Sequence, residues 1–403
     1  MTGHRASAWL VIWVGVSAAL HVGKLPPTLP VLREQLGMSL VEAGFLLSMV
    51  QTAGMTLGVL VGLGADRLGL RRCMLLGVLL LSVSSLVGGG VTDVRTLLVL
   101  RALEGLGFLM SSMPAPALIR RLVEPAQLQR MMGYWGAYMP LGTALALLLA
   151  PWVITWSGWP MLWWGLGVWL LLSGALVWWR VPPDPDVTVA GPAVNPWGRR
   201  LTSVLTHRGP WLVVLSFAVY SGQWLAIIGF LPSIYAQMGL SMAVGGTLTA
   251  AVAAVNMGGN ILSGRLLSRG VTPPALLRFG FGSMGLGAFL AFVQWQGWHL
   301  PATLQFLCVV CFSAMGGVIP GTLFSLAVRL APSEDTVATT VGWVQQWSSI
   351  GQFAGPPLVA WMAAAAGGWQ WTWMVTCTFC VVGWWLAGQL RSLLHLNPTP
   401  VNS

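Results

Sequence analysis

The stretch Gly62-Leu-Gly-Ala-Asp66-Arg67-Leu-Gly69-Leu-Arg71-Arg72 is a short basic turn that carries one acidic residue. Long apolar runs lie on both sides of it, over residues 40–63 and 73–92. Each run has the length of about 20 residues that an α-helix needs to cross a bilayer. The sequence therefore predicts two membrane helices joined by a tight, positively charged turn.

The composition of the whole chain is that of a polytopic membrane protein. Hydrophobic residues make up 56% of the 403 residues and charged residues only 7%, with a mean hydropathy of +0.76. Such a chain has too few charges to coat a soluble globule. The net charge of +10 is scattered through short turns and forms no stripe, so contact with anionic lipids explains it better than nucleic acid binding.

Twelve apolar runs are long enough to be membrane helices. Their approximate spans are 8–31, 40–63, 73–92, 96–119, 131–154, 160–179, 211–236, 242–264, 275–295, 301–328, 337–364 and 369–390. The segment 181–210 is rich in proline, glycine and charge, which predicts a cytoplasmic linker. The predicted domains are an N-terminal six-helix bundle over 1–180, this linker, and a C-terminal six-helix bundle over 211–403.

The distribution of basic residues predicts the orientation in the membrane. Sixteen of the twenty Lys and Arg residues fall in alternate turns on the same side as the N-terminus. Basic residues concentrate on the cytoplasmic side of membrane proteins. We therefore expect a multi-pass protein of the cell inner membrane with both termini in the cytoplasm.

The two halves of the sequence repeat each other. Gln35-Leu-Gly37-Met-Ser39 recurs as Gln237-Met-Gly239-Leu-Ser241, and Gly133-x8-Gly142 recurs as Gly342-x8-Gly351. Gly158-Trp159-x3-Trp163 likewise recurs as Gly368-Trp369-x3-Trp373. The offsets drift only from 202 to 210, so the pattern predicts a parallel repeat of six helices with a site between the halves.

The basic turn resembles the signature loop between the second and third helices of the major facilitator superfamily, a group of secondary transporters. Its pattern is G-x-x-x-D-R-x-G-x-R-R. The resemblance implies an all-α fold of twelve transmembrane helices in two pseudo-symmetric six-helix bundles. It also implies that Asp66 latches the cytoplasmic side, with Arg67 and Arg71 as partners. Alternatively, the arginines only anchor the turn in the cytoplasm.

A narrower similarity is carried by two other stretches, Val22-Gly-Lys24-Leu-Pro-Pro-Thr-Leu-Pro30 and Gly259-Asn260-x3-Gly264-Arg265-Leu-Leu-Ser-Arg269-Gly270. Within the superfamily they look most like the cyanate and nitroimidazole transporter-like branch of bacterial carriers. This similarity does not name a substrate.

Ionisable side chains inside the predicted helices are few, and burial in a membrane makes such groups functional candidates. Glu104 is the one acidic residue that lies within a predicted membrane interior. Arg101-x-x-Glu104-Gly105 resembles the family motif R-x-x-(Q/E)-G, whose arginine is assigned to proton coupling. Alternatively, Arg101 and Glu104 are a buried ion pair that only fixes the packing of their helix.

His21 and Lys24 are three residues apart in the first predicted helix and share one face of it. Counting ~1.5 Å per residue predicts a cationic layer of Lys24 and Arg101 above a layer of His21 and Glu104. Because this layer is cationic, we expect Lys24 and Arg101 to select an anionic substrate. Arginine stays charged and lysine loses its proton only when strongly desolvated, which leaves Glu104 and His21 for proton coupling. Alternatively, His21 only packs and Lys24 extends toward the interface.

The C-terminal half offers polar and aromatic groups only. We expect Tyr220, Gln223, Asn256 and Gln346 to contact the substrate by hydrogen bonds and stacking. Such side chains also link helices to each other in membrane proteins, which is the alternative for each of them.

These features predict a proton-coupled secondary transporter that moves a small organic anion by alternating access. The alternative is a proton-driven exporter of lipophilic drugs, although helix 5 has Ala146-Leu147 where the drug antiporters of the family have Gly-Pro. A membrane enzyme is a remote third interpretation, since it needs a convergent catalytic cluster. A channel is disfavoured because the sequence contains no segment that resembles a selectivity filter. We expect a monomer that contacts lipids and has no cofactor. We also expect no metal site, because both Cys-x-x-Cys pairs (308 and 311, 377 and 380) lie in apolar helices, where cysteine packs as a small hydrophobic residue.

Overall fold

The computed structural model describes residues 2–58, 68–124, 127, 131, 134–184, 197–294, 299–333 and 336–396. The regular elements among these residues are helices. Their bounds are α1 Thr2–Gly23, α2 Leu25–Leu36, α3 Leu40–Ser48, α4 Leu70–Gly88, α5 Val94–Ser112, α6 Ala115–Leu122, α7 Tyr138–Arg180, α8 Trp197–Thr206, α9 Arg208–Gln237, α10 Met242–Ser268, α11 Pro273–Phe292, α12 Ala302–Gly316, α13 Val318–Arg329, α14 Val337–Ala366 and α15 Thr372–Leu396. Short 3-10 turns cover Met49–Gln51 and Trp369–Trp371.

Each of the twelve predicted spans overlaps a helical segment of the described residues. In the described part of the chain, ten helical segments are long and apolar enough to cross a membrane. One of them, α7, contains two predicted helices, which meet at Gly158 with φ 79° and ψ 166°. The 30-residue helix α14 supplies the eleventh predicted helix. The all-α, twelve-helix architecture is therefore confirmed.

Several predicted helices are longer or more broken than their apolar runs indicated. The first predicted helix, 8–31, is two helices that extend over residues 2–36 and meet at Lys24. Pro26 and Pro27 follow this break, and they have no N–H with which to bond the carbonyls of the preceding turn. The fourth helix of each half is also broken, at residues 113–114 and at Gly317.

The internal repeat is visible in the helix caps. Gly37 and Gly239 both adopt left-handed conformations, with φ of 63° and 79°. In each case the next amide bonds back to a carbonyl five residues earlier, Met38 to Arg33 and Leu240 to Tyr235. An L-residue with a side chain disfavours this conformation, so glycine is required at both turns.

A second part of the repeat appears where the first and fifth helices of each half cross. A Cβ atom added at Gly142 would lie 2.6 Å from the Val16 carbonyl oxygen on α1. A Cβ atom added at Gly351 would lie 2.0 Å from the Ala218 carbonyl oxygen on α9. Both glycines therefore let two helix backbones approach more closely than any side chain would permit.

The described residues cluster in two compact units. The first contains residues 1–191 and 227–254, and the second contains residues 192–226 and 255–403. The predicted domain limits of 1–180, 181–210 and 211–403 follow the sequence repeat and stay a prediction. The predicted linker is not wholly irregular, since the ten-residue helix α8 lies within it and buries Val204.

Candidate functional site

Lys24 lies at the centre of a buried polar cluster in the first unit. It is the only lysine in the chain, and its side chain is 0% exposed. Its Nζ donates to Glu104 Oε1 at 2.6 Å and to Ser85 Oγ at 3.0 Å, and it lies 3.4 Å from His21 Nδ1. The Trp163 ring covers it, with the ring centroid 4.2 Å from Nζ. Together these contacts replace the water that a buried ammonium group loses.

Glu104 is shared by two cations. Its Oε2 accepts a hydrogen bond from Arg101 at 2.6 Å, while Oε1 accepts the bond from Lys24. The same Arg101 nitrogen also donates to the His21 carbonyl oxygen at 2.7 Å, which ties α5 to the end of α1. Glu104 and Arg101 are 2% and 3% exposed, so the pairing is shielded from water.

The cluster carries surplus positive charge. Among the described residues, the charged partners of Lys24 are Glu104 and Arg101. Two cations and one carboxylate leave a formal charge of +1 when His21 is neutral. The two predicted layers are therefore one cluster, because the Lys24 side chain reaches the Glu104 carboxylate instead of staying at its own depth. Ser85 and Trp163, the other neighbours of Lys24, lie on α4 and α7. Lys24 is therefore enclosed by residues of the first unit.

The polar residues predicted in the C-terminal half lie in the second unit, and three of them are buried there. Asn256 Nδ2 donates to the Tyr220 hydroxyl at 3.1 Å and to the Ser313 carbonyl oxygen at 2.8 Å. Gln223 Oε1 accepts a bond from the Cys380 thiol at 3.2 Å. Gln346 is partly exposed on α14. In this structure Tyr220, Gln223 and Asn256 link helices of the second unit.

The basic turn is held by an acidic residue from a distant segment. Asp184 accepts hydrogen bonds from the backbone amides of Arg71 and Arg72, both at 3.0 Å, at the start of α4. It also pairs with Arg121 at 2.8 Å. The Arg71 side chain donates to the Trp178 carbonyl oxygen and lies over the Trp178 ring. Asp66 and Arg67 lie outside the described residues.

The surroundings of Asp184 favour its ionised form. Partial burial acts to raise the pKa of this carboxyl, but the two amide bonds and the Arg121 guanidinium outweigh burial and lower the pKa below its usual value of 3.8. A carboxylate at a helix N-terminus is stabilised by the free amides and the helix dipole. Asp184 therefore caps α4 and connects it to the chain that follows α7.

Sequence reasoning missed three members of these sites, Asp184, Ser85 and Trp163. A signal for Asp184 existed, since Gly69 opens a helix whose first amides need an acceptor and an acidic residue follows the sixth apolar run. Ser85 and Trp163 gave no comparable signal, because serine and tryptophan are common in membrane helices for packing alone.

The comparison with protein families decides the class of protein. The family model of the Major Facilitator Superfamily matches residues 11–356. The chain belongs to the major facilitator superfamily. It is a multi-pass membrane transporter, as the basic turn and the internal repeat predicted.

Two bacterial proteins are similar to this chain at low identity. The cyanate transport protein CynX of Escherichia coli (strain K12) is 24% identical over 318 residues, which cover 77% of this chain and 78% of that protein. A chloramphenicol resistance protein of Pseudomonas aeruginosa is 25% identical over 341 residues, which cover 80% and 76%. The similarity to CynX agrees with the branch that the sequence motifs predicted.

A solved structure has the same fold. It is a bacterial homolog to the human lysosomal transporter Spinster, in an inward-facing and occupied conformation. The TM-score is 0.81 at 16% identity, and the match covers 100% of both chains. The similarity supports the fold of this superfamily member.

Proposed function

We propose that this superfamily member is a proton-coupled secondary transporter that moves a small organic anion by alternating access. The observation that carries the proposal is the buried cluster in which Lys24 and Arg101 share Glu104. A buried charge without a counterion costs several kcal/mol. Surplus positive charge in this position therefore favours an anion as the transported species.

Glu104 is proposed to carry the coupled proton, with His21 as the other candidate. Burial favours the neutral carboxylic acid, whereas Lys24 and Arg101 favour the carboxylate. An anion that takes one of these cations as its partner frees Glu104 from that cation and favours its protonation. Substrate binding and proton binding are then linked without direct contact between the two ligands.

The other predicted residues complete the proposal. The second half supplies hydrogen bonds to the substrate when polar side chains exchange their contacts with other helices for contacts with the substrate. These side chains are Tyr220, Gln223, Asn256 and Gln346. The latch of the cytoplasmic side is assigned to Asp66 with Arg67 and Arg71. The protein is proposed to act as a monomer in the inner membrane with both termini in the cytoplasm, and as a transporter rather than an enzyme.

The relatives support two classes of substrate. Cyanate, after which the transport protein CynX is named, is a small anion, and a small anion suits the surplus positive charge of the cluster. The chloramphenicol resistance relative favours the second candidate function, export of lipophilic drugs. A cationic cluster gives no particular advantage to an uncharged drug, so the anion stays the first candidate.

Transport by the purified protein in liposomes with an imposed pH gradient tests the proposal. The variant that combines Lys24→Gln with Glu104→Gln keeps the cluster at +1, through Arg101, and removes its carboxylate. This balance avoids the two unpaired buried cations of Glu104→Gln alone, which destabilise a protein strongly. Glu42→Gln is the matched control, because glutamine can replace glutamate in the capping box at Ser39.

We expect the wild type and Glu42→Gln to accumulate cyanate or a small carboxylate against the pH gradient. The double variant should exchange the same anion across the membrane without accumulating it, and it should need a higher anion concentration because Lys24 is absent. Full accumulation by the double variant would move the proton site elsewhere, with His21 the next candidate. Transport of chloramphenicol, with no competition by anions and no effect of Lys24→Gln, would replace the anion proposal with drug export.

A further inference from the structure

A cavity of about 800 Å³ opens among α11, α13 and α15 in the second unit. Three arginines from these three helices line it: Arg278, Arg329 and Arg391. Its described lining residues include no carboxylate. Guanidinium groups that converge from separate helices suit an anion that accepts several hydrogen bonds, and phosphate oxygens have this property.

Arg278 is fixed in position at the wall of the cavity. Its guanidinium lies over the Trp384 ring, with the carbon 4.5 Å from the ring centroid. It also passes across α15 at Gly388, where an added Cβ would lie 2.8 Å from Arg278 Nη2. Its Nε is buried and has no hydrogen-bond partner among the described residues. Buried donors rarely lack a partner, so this N–H is consistent with a ligand that the site is built to hold.

The start of α11 contributes few donors to this cavity. Pro273 and Pro274 have no N–H, and the amides of Ala275 and Leu276 already bond to the Thr272 carbonyl oxygen. Recognition of an anion therefore depends on the arginine side chains and not on the helix terminus.

An apolar surface continues from the charged end of the cavity. Phe279 and Trp384 line the cavity and are 52% and 49% exposed. Leu286 and Val381, on the same two helices, are 61% and 68% exposed. In a membrane-spanning chain such faces are covered by acyl chains. The ligand that matches both parts is an amphiphile with an anionic head and an apolar tail.

We propose that this cavity binds the phosphate of an anionic phospholipid, with the three arginines on the phosphate and the acyl chains along α11 and α15. The sequence predicts that this end of the second unit lies at the cytoplasmic leaflet, where anionic lipids attract basic residues. A soluble phosphate ester has the same head chemistry and lacks the tail, so the two sources can be separated.

Native mass spectrometry of the purified full-length protein, with phosphatidylglycerol or phosphatidylcholine added, tests the site. The test variant combines Arg329→Gln with Arg391→Gln, since both side chains are exposed. The control is Arg120→Gln, an exposed arginine of the first unit. Thermal unfolding of each protein in detergent without added lipid checks that the variants fold. Glycerol phosphate, added alone in a parallel series, supplies the head without the tail.

We expect wild type and Arg120→Gln to retain phosphatidylglycerol in preference to phosphatidylcholine. The double variant should bind phosphatidylglycerol about twenty-five-fold more weakly, which is about five-fold for each of the two arginines removed. Equal retention by the wild type, the folded double variant and the control would overturn the site. Retention of glycerol phosphate by the wild type as strong as its retention of phosphatidylglycerol would overturn the lipid assignment and leave a soluble phosphate ester as the ligand.

Discussion

At the scale of single residues, one carboxylate joins three segments of the first unit. Asp184 receives two amides at the start of α4 and a guanidinium from the end of α6. We expect Asp184→Asn to lower the free energy of unfolding at pH 7 by about 0.5–2 kcal/mol, the usual value of a helix cap. Because folding lowers the pKa of Asp184, this stabilisation is complete above about pH 4 and is lost as the pH falls through the lowered pKa.

Chemical unfolding in detergent between pH 3 and pH 7 measures this dependence. Arg120→Gln, beside Arg121 and exposed, is the control and should match the wild type at every pH. A difference between wild type and Asp184→Asn that is the same at pH 3 and at pH 7 would contradict the capping role.

The residues of the site were predictable to different degrees. Glu104 and Arg101 stand out in the sequence because a membrane interior rarely accepts charge without a reason, and the structure pairs them. Lys24 was identified for the same reason, but its partners were not. Which side chains surround an ammonium group depends on how α1, α4 and α7 pack, and the spacing of residues within one helix does not contain that information.

At the scale of helices, glycines decide how closely neighbours approach. Gly342 and Gly351 lie on the same helix. Gly351 faces the backbone of α9, whereas an added Cβ at Gly342 meets no atom of the described residues within 4 Å. We expect Gly351→Ala to lower the free energy of unfolding by about 1–3 kcal/mol, through overpacking. Gly342→Ala should leave it unchanged or raise it by about 0.5–1 kcal/mol, since alanine favours a helix interior. Equal unfolding temperatures for the two variants in detergent would disprove this difference.

Helix positions followed from the sequence better than helix ends did. Runs of apolar residues located the twelve spans because a segment's length and hydropathy determine whether it can cross a bilayer as a helix. The joint at Lys24 was not predicted. The predicted boundary between residues 154 and 160 contains Gly158, but the sequence did not indicate that the turn there is a single residue. Apolar content does not change at such joints, and their positions depend on local proline and glycine geometry instead.

At the scale of the whole molecule, the basic residues predict that α8 lies in the cytoplasm and that the turn before α5 lies outside. Thr92→Cys in that turn and Thr202→Cys in α8 are both at exposed positions. We expect a membrane-impermeant maleimide to label Thr92→Cys in intact cells and to label Thr202→Cys only after permeabilisation. The opposite pattern would invert the topology, and labelling of neither in permeabilised cells would show that the positions are covered.

The matched left-handed glycines Gly37 and Gly239 set the beginnings of the two halves in a common register, 202 residues apart. In this register the counterpart of His21 is Gln223 and the counterpart of Lys24 is Ala226. The two copies of the repeat thus share a turn and differ in side-chain chemistry at these positions. The first half carries an ammonium group at the position of Lys24, and the second half carries a methyl group. One scaffold is thus used twice, and ionisable chemistry at these positions belongs to a single half.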